Sequence, residues 1–98
     1  MSWATQIIKD LEEGKTVQFR PRGNSMTGRI NSGQLCTVTP LDREPTKGDV
    51  VLCKVRGAQY LHLVSAVRSD QYQISNNHGH VNGWTSRKNV FGILTKVE

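Results

Sequence analysis

Two side chains that lie far apart in the sequence could together perform nucleophilic catalysis. Ser25 lies in a run of turn-forming residues, 22–33, that only Met26 and Ile30 interrupt. A sharp bend can hold a serine hydroxyl clear of a sheet, and such a hydroxyl becomes a nucleophile when a base can reach it. The candidate base is His62, because a neutral imidazole is the commonest general base near pH 7. Taken singly, the serine is a turn residue and the histidine a structural one, so only the fold can join them.

The pattern of apolar residues predicts one helix followed by a sheet. Residues 3–13 carry apolar side chains at helical spacing, with Ser2 as a candidate N-cap and Gly14 as the stop. We expect the apolar stripe of this helix to dock on the domain itself. From residue 15 onward the apolar residues recur at every second position, which favours strands. We place the strands at about 15–20, 35–40, 49–56, 59–67, 71–75 and 90–97, with a long loop over 76–89.

The predicted fold is mostly β, a small and strongly bent antiparallel sheet or barrel with one N-terminal α-helix. Residues 1–98 form a single domain, in which the β part covers 15–97. The nearly continuous apolar run 50–55 predicts a strand that is covered on both faces. Gly57-Ala58 lies between two strand patterns and predicts a tight hairpin.

The composition is that of one small folded domain with a basic surface. The chain has 98 residues and a formal net charge of +5. Its basic residues are scattered, which indicates a solvated surface and argues against a nucleic-acid partner. Cys36 and Cys53 lie in apolar runs without metal-ligand spacing, so we predict buried free thiols in a reducing compartment rather than a disulfide. No segment has the pattern of a signal peptide or a membrane span, so we expect a cytoplasmic protein without a membrane partner.

A set of short motifs surrounds the two candidate residues in a recognisable order. The segments Gly-Asn-Ser-Met-Thr-Gly-Arg-Ile (23–30), Gly-Gln-Leu (33–35) and Gly-Asp-Val-Val-Leu (48–52) precede His62. This order resembles the serine peptidase superfamily of LexA-type repressors and signal peptidases. The family pattern runs Ser-Met-x-Pro-x-Ile, Gly-Asp, Gly-Asp-Val-Val, and then a base on the following strand. That base is a lysine in LexA-like and bacterial members and a histidine in archaeal and eukaryotic-type signal peptidases, and His62 falls at its place.

The resemblance implies a role for each of these residues. Ser25 would be the nucleophile and His62 the base that removes its proton. An asparagine of the later turn, Asn76 or Asn77, would orient the imidazole, and residues 90–93 are similar to the closing strand of the family. The oxyanion would be stabilised by backbone amides of the bend: Gly23, Asn24 and Met26. Family members bind an extended peptide as an added strand, so the expected partner is an extended peptide or protein segment.

Three departures from the family pattern leave two functions open. Gly28 replaces the usual proline, which we expect to loosen the bend, Gln34 replaces an aspartate, and Leu63 stands where an arginine often follows the base. The chain is therefore either a serine peptidase that cleaves in trans with a Ser25–His62 dyad, or an inactive module of this fold that binds a protein or itself. A homodimer is implied by the resemblance alone.

The remaining polar features are assigned more modest roles. Asp49 is expected to be a turn acceptor at the start of a strand. His78 and His80 could join a metal site, but no cysteine or carboxylate lies at a suitable spacing, so we predict a solvent loop and neither metal nor other cofactor. Three arginines flank Ser25 and would make the site mouth positive, which suits acidic peptides or is plain surface charge: Arg20, Arg22 and Arg29.

Overall fold

Seven strands form one antiparallel sheet in the computed structural model, which describes residues 3–98. In chain order the elements are α1 Thr5–Glu12, β1 Val17–Phe19, β2 Cys36–Pro40, β3 Val50–Val55, β4 Ala58–Arg68, β5 Gln71–Ser75, β6 Val81–Ser86, a 3₁₀ turn Arg87–Asn89 and β7 Val90–Val97. Along the sheet the order is β1-β2-β7-β3-β4-β5-β6. The prediction of a mostly β, antiparallel fold is confirmed. Within residues 3–98, no helix is long and apolar enough to span a bilayer.

Helix α1 is shorter than predicted but ends where the sequence indicates. Its stop is a Schellman motif, in which Gly14 at φ +84° donates its N–H to Leu11 O and Lys15 donates to Asp10 O, both at 3.0 Å. Leu11 is buried in the sheet's core and Ile7 packs against the same cluster, so the expected docking on the domain is confirmed. The predicted cap, Ser2, lies outside the described residues.

The turn between β3 and β4 is a two-residue hairpin. Its turn residues are Arg56 and Gly57, with φ of +50° and +84°, and Val55 pairs with Ala58 across the turn. Positive φ at both positions is the type I′ geometry, whose twist matches that of the strands. The predicted hairpin is therefore present, but Ala58 already belongs to β4, so its turn lies one residue earlier than predicted.

The prediction of a long loop over 76–89 is wrong, because that segment contains strand β6, Val81–Ser86. The strand was missed because asparagine and glycine are poor strand formers, and pairing with β5 supplies the stabilisation that the local sequence lacks. Although β4 and β5 separate β6 from β3 in the sheet, Thr85 Oγ1 donates to Lys54 O of β3 at 2.7 Å. The sheet therefore curls strongly, as predicted.

Strand β3 separates two apolar clusters and is buried on both faces, as its continuous apolar run predicted. The first cluster comprises Leu11, Val17, Met26, Ile30, Cys36, Val38, Val50, Leu52 and Leu61. The second comprises Val51, Cys53, Val55, Val64, Tyr72, Ile74, Val90 and Ile93. Each cluster contains one cysteine, and both cysteines are buried free thiols, as predicted.

Candidate active site

The bend that carries Ser25 is anchored by the two apolar residues within the turn run. Met26 and Ile30 are both buried in the first cluster, and the Ile30 N–H donates to Met26 O at 2.8 Å. Ser25 itself is exposed. Burial of its apolar neighbours therefore fixes the backbone of the bend while the serine stays at the surface.

Strand β4 brings His62 to this hydroxyl. His62 Nε2 lies 3.0 Å from Ser25 Oγ, and His62 Nδ1 lies 2.7 Å from Asn82 Oδ1. Because an amide oxygen only accepts hydrogen bonds, Nδ1 carries the ring proton and the lone pair of Nε2 faces the serine hydroxyl. This is the tautomer that a general base needs. The two residues singled out in the sequence are thus within direct hydrogen-bond distance.

The surroundings of His62 favour its neutral form. The side chain is buried in β4, and this burial lowers the pKa of the imidazole below its ordinary value. The hydrogen bond to Asn82 opposes this effect, whereas the neighbouring His80 lowers the pKa further. The ring of Tyr60 packs against the imidazole with centroids 4.8 Å apart. At pH 7 the imidazole is therefore mostly unprotonated and able to accept a proton.

The residue that orients the imidazole is Asn82, and not Asn76 or Asn77 as the resemblance implied. Asn76 turns its Oδ1 toward its own loop, where it accepts the N–H groups of His78 and His80 at 2.8 and 2.9 Å. The sequence did not identify Asn82 because it lies on β6, a strand that was not predicted. Only that strand brings residue 82 close to His62 on β4.

Asn77 forms hydrogen bonds to the bend that carries Ser25 rather than to His62. Its N–H donates to Ser25 O and its Nδ2 donates to Thr27 O, both at 2.9 Å, while His78 Nε2 donates to Asn24 O at 2.9 Å. We call Asn77 and His78 the bend clamp. The clamp and Asn82 belong to one short segment, 77–82, so a single stretch of chain holds both the bend of Ser25 and the imidazole of His62.

The clamp also explains how a glycine can stand at position 28. Gly28 has φ +100°, which proline cannot adopt, and a Cβ there would lie 3.1 Å from Asn77 Nδ2. The loosening expected from the missing proline is therefore offset by the hydrogen bonds of the clamp.

The backbone amides of the bend differ in their availability. Gly23 adopts φ +115° and donates its N–H to Ser32 Oγ at 3.1 Å, so it shapes the bend while its amide is engaged. Among residues 3–98, none accepts a hydrogen bond from the N–H groups of Asn24, Ser25 or Met26. These three amides are therefore available as candidate oxyanion donors.

Asp49 lies outside this constellation. Its carboxylate binds Arg43 at 2.8 and 3.1 Å and accepts the Thr46 N–H at 2.8 Å. The guanidinium of Arg43 is the main reason that the pKa of Asp49 is lowered. The expected role as a turn acceptor is confirmed.

The first half of β4 has an open edge beside the site. Residues 58–62 pair with β3 on one side, and pairing with β5 on the other side begins only at Leu63. Val64 forms its two backbone hydrogen bonds on the β3 side: its N–H donates to Asp49 O at 2.8 Å, and its C=O accepts the Gly48 N–H at 2.9 Å. Because bonding directions alternate along an antiparallel strand, Gln59 and Leu61 direct their backbone N–H and C=O groups to the open edge.

A cavity of about 640 Å³ lies between this edge and the bend, with Ser25 and His62 in its lining. Of the three arginines predicted at the mouth, Arg20 and Arg22 line the cavity. Arg29 instead donates to Gly48 O at 3.2 Å. The cavity is therefore positively charged at its mouth, through two of the three predicted arginines, Arg20 and Arg22.

Comparisons with known proteins leave the family of this chain open. No family model matches it, and neither a curated protein nor a solved structure matches it. The resemblance to LexA-type and signal peptidases therefore rests on the order of motifs in the sequence alone.

Proposed function

We propose that this protein is a serine peptidase that cleaves other polypeptides, with Ser25 as the nucleophile and His62 as the general base. The observation that carries the proposal is the 3.0 Å distance between Ser25 Oγ and His62 Nε2. It is supported by the tautomer that Asn82 selects and by the burial that keeps His62 neutral. A peptidase of the LexA and signal peptidase type with a histidine base has the same order of motifs.

The reaction follows from this arrangement. An extended peptide pairs with the open edge of β4, which holds its scissile carbonyl beside the hydroxyl. Ser25 Oγ attacks the carbonyl carbon as His62 Nε2 takes the hydroxyl proton, and the imidazolium returns that proton to the leaving amine. Water then attacks the acyl ester, with His62 again as base, and releases a carboxylic acid and free Ser25.

The negative oxygen of the tetrahedral intermediate needs hydrogen-bond donors. We assign this role to the backbone N–H groups of Asn24, Ser25 and Met26, which have no acceptor within residues 3–98, and each well-placed donor is worth roughly 10²–10³ in rate. Asn82 is neutral, so it orients the ring without the added attraction for imidazolium that a carboxylate provides. We therefore describe the machinery as a dyad with an orienting amide.

The test uses a reagent that reports an activated serine without knowledge of the substrate. A fluorophosphonate probe is incubated with the wild-type protein and the modified residue is located by mass spectrometry. We expect modification at Ser25, abolished in Ser25→Ala and reduced by about 10² or more in His62→Gln, because the base is removed. Cleavage of a broad peptide library is then compared between the wild type and Ser25→Ala.

The matched control is Ser69→Ala, which removes an exposed hydroxyl from the turn between β4 and β5. This variant should react with the probe as fast as the wild type. Modification of Ser25 no faster than that of Ser69, together with equal peptide cleavage by the wild type and Ser25→Ala, would refute the proposal.

A second candidate function is a binding module of the same fold without turnover. The observation that favours it is the open edge at 58–62 beside a cavity, which can bind an extended segment of a partner or of a second copy of the chain whether or not Ser25 reacts. In that case Ser25→Ala keeps full affinity for the partner, and the wild type shows neither probe modification nor cleavage.

A further inference from the structure

The cavity beside Ser25 has an apolar floor. Met26, Ile30 and Leu61 line it, and they are only 4, 4 and 6% exposed because they belong to the first cluster. Its volume of about 640 Å³ is typical of sites that bury several ligand groups, about 300–1,000 Å³. A small side chain such as alanine would leave most of this space unfilled, so the floor suits a bulky apolar side chain.

An aromatic wall stands over this floor. Trp3 and Phe19 both line the cavity, and their rings pack with centroids 5.7 Å apart and a tilt of 44°. Trp3 nevertheless remains 51% exposed. Ile7, one helical turn later, continues the wall. Large aromatic surface that is fixed in place and still accessible is typical of residues that dominate binding energy.

The rim of the same cavity is positively charged. Arg20 and Arg22 line it, and no acidic side chain is among the lining residues within the described part of the chain. Arg20 is held by a hydrogen bond to Gly33 O at 2.9 Å, and no carboxylate of residues 3–98 forms a salt bridge with either arginine. Two guanidinium groups without a carboxylate partner favour an acidic group on the ligand.

The open edge of β4 determines how far apart the bulky apolar side chain and the acidic side chain stand in a bound peptide. In a peptide that adds to the edge as a strand, successive side chains point to opposite faces. The apolar floor and the arginines border one cavity, so the side chains that meet them belong to alternate residues of the peptide.

We infer that this cavity selects an extended peptide in which a bulky apolar side chain and an acidic side chain stand two residues apart. The cavity is a substrate site only if the proposed peptidase function holds, but the binding preference can be measured without turnover.

Binding is measured by fluorescence anisotropy with Ser25→Ala and labelled decapeptides whose ends are blocked, so that every negative charge comes from a side chain. The parent peptides carry Phe and Glu two residues apart in an alanine-rich background, in both orders. We expect Phe→Ala to weaken binding at least tenfold and Glu→Gln roughly fivefold in at least one order. Moving Glu to the position next to Phe should weaken binding as much as Glu→Gln does.

Variants of the protein assign these effects to the cavity. The double variant Arg20→Gln/Arg22→Gln should abolish the difference between the Glu and Gln peptides, whereas Lys47→Gln, which removes a charge from an exposed turn, should preserve it. Trp3→Ala should weaken binding of the Phe peptide about tenfold and leave the Ala peptide unchanged. Val67→Ala, at another exposed apolar residue, should change neither.

The outcomes separate this inference from the proposed function. Equal affinities for all peptides, no binding at all, or a Glu preference that survives in Arg20→Gln/Arg22→Gln would overturn the inference. If the wild type cleaves peptides without regard to this pattern, the peptidase proposal stands and the inference fails. If Ser25→Ala binds as expected and the wild type cleaves nothing, the inference stands and the peptidase proposal fails.

Discussion

At the scale of single residues, burial and the amide of Asn82 together determine how His62 responds to pH. As a neutral acceptor at 2.7 Å it fixes the tautomer, and burial keeps the pKa of the imidazole below its ordinary value. As the proposed base, His62 works only when it is unprotonated, so we expect activity to be lost as the pH falls through this pKa. A carboxylate at the same place would stabilise the imidazolium and raise the pKa.

We therefore predict that Asn82→Asp moves the acid limb of the pH–rate profile to higher pH. The rate of Ser25 modification by the fluorophosphonate should be about tenfold below wild type at pH 6 and within about twofold of it at pH 9. Asn82→Ala, which keeps no acceptor, should instead be slower by about 10² at every pH, because the ring loses its orientation. An acid limb that stays in place in Asn82→Asp would contradict this role for Asn82.

At the scale of elements, the bend clamp holds the bend of Ser25, the proposed nucleophile, by hydrogen bonds, where the pattern that the chain resembles has a proline. Asn77 contributes a main-chain bond to Ser25 and a side-chain bond to Thr27, and only the second depends on its side chain. The cavity proposed to bind the peptide has no lining residue from the turn that contains Asn77. Loss of the side-chain bond should therefore disturb the aim of the hydroxyl and spare substrate binding.

The corresponding prediction is that Asn77→Ala lowers kcat about tenfold and leaves KM within about twofold of wild type. The lost hydrogen bond should reduce the free energy of unfolding by only about 1 kcal/mol, measured by urea denaturation. Asn89→Ala, in the 3₁₀ turn, is the matched control and should change neither constant. A rise in KM with unchanged kcat would show that Asn77 acts on substrate binding and not on the bend.

The elements also show where the sequence was sufficient. The burial of β3 and the end of α1 at Gly14 were predicted from short sequence patterns. A strand that is buried on both faces has a continuous apolar run, and a left-handed helix stop favours glycine. Strand β6 was not readable, since its Asn82 and Gly83 are turn formers and only pairing with β5 makes it a strand. The orienting residue of the site was missed for the same reason, whereas Ser25 and His62 were found from residue type and motif order.

At the scale of the whole molecule, β3 lies between the two apolar clusters, and we expect it to couple them into one cooperative unit. Val50 and Leu52 face the first cluster, while Val51 and Cys53 face the second. Neither cluster can open without exposing one face of the same central strand. The candidate site also draws on distant parts of the chain, because Ser25 follows β1, His62 lies in β4 and Asn82 lies in β6.

The two cysteines allow this coupling to be measured. Burial raises the pKa of the Cys53 thiol to about 12 and also raises the pKa of Cys36, and both side chains are fully buried. A thiol without access to solvent and without thiolate character does not react, so alkylation in the native state reports opening of the surrounding core. Cys36 reports on the first cluster and Cys53 on the second.

We predict that iodoacetamide modifies Cys36 and Cys53 at rates within about tenfold of each other, which corresponds to about 1.4 kcal/mol in opening free energy. Both rates should rise with urea along the global unfolding curve, because both cysteines become accessible only when β3 is lost. The measurement is pulsed alkylation at increasing urea, with the two cysteine peptides quantified separately by mass spectrometry. Cys36→Ala and Cys53→Ala, each corrected for its own stability, identify any influence of one alkylation on the other.

Rapid modification of one cysteine without urea, while the other stays protected, would mean that the clusters open independently. In that case β3 would not join them, and the geometry of Ser25, His62 and Asn82 would depend on two separate folding units.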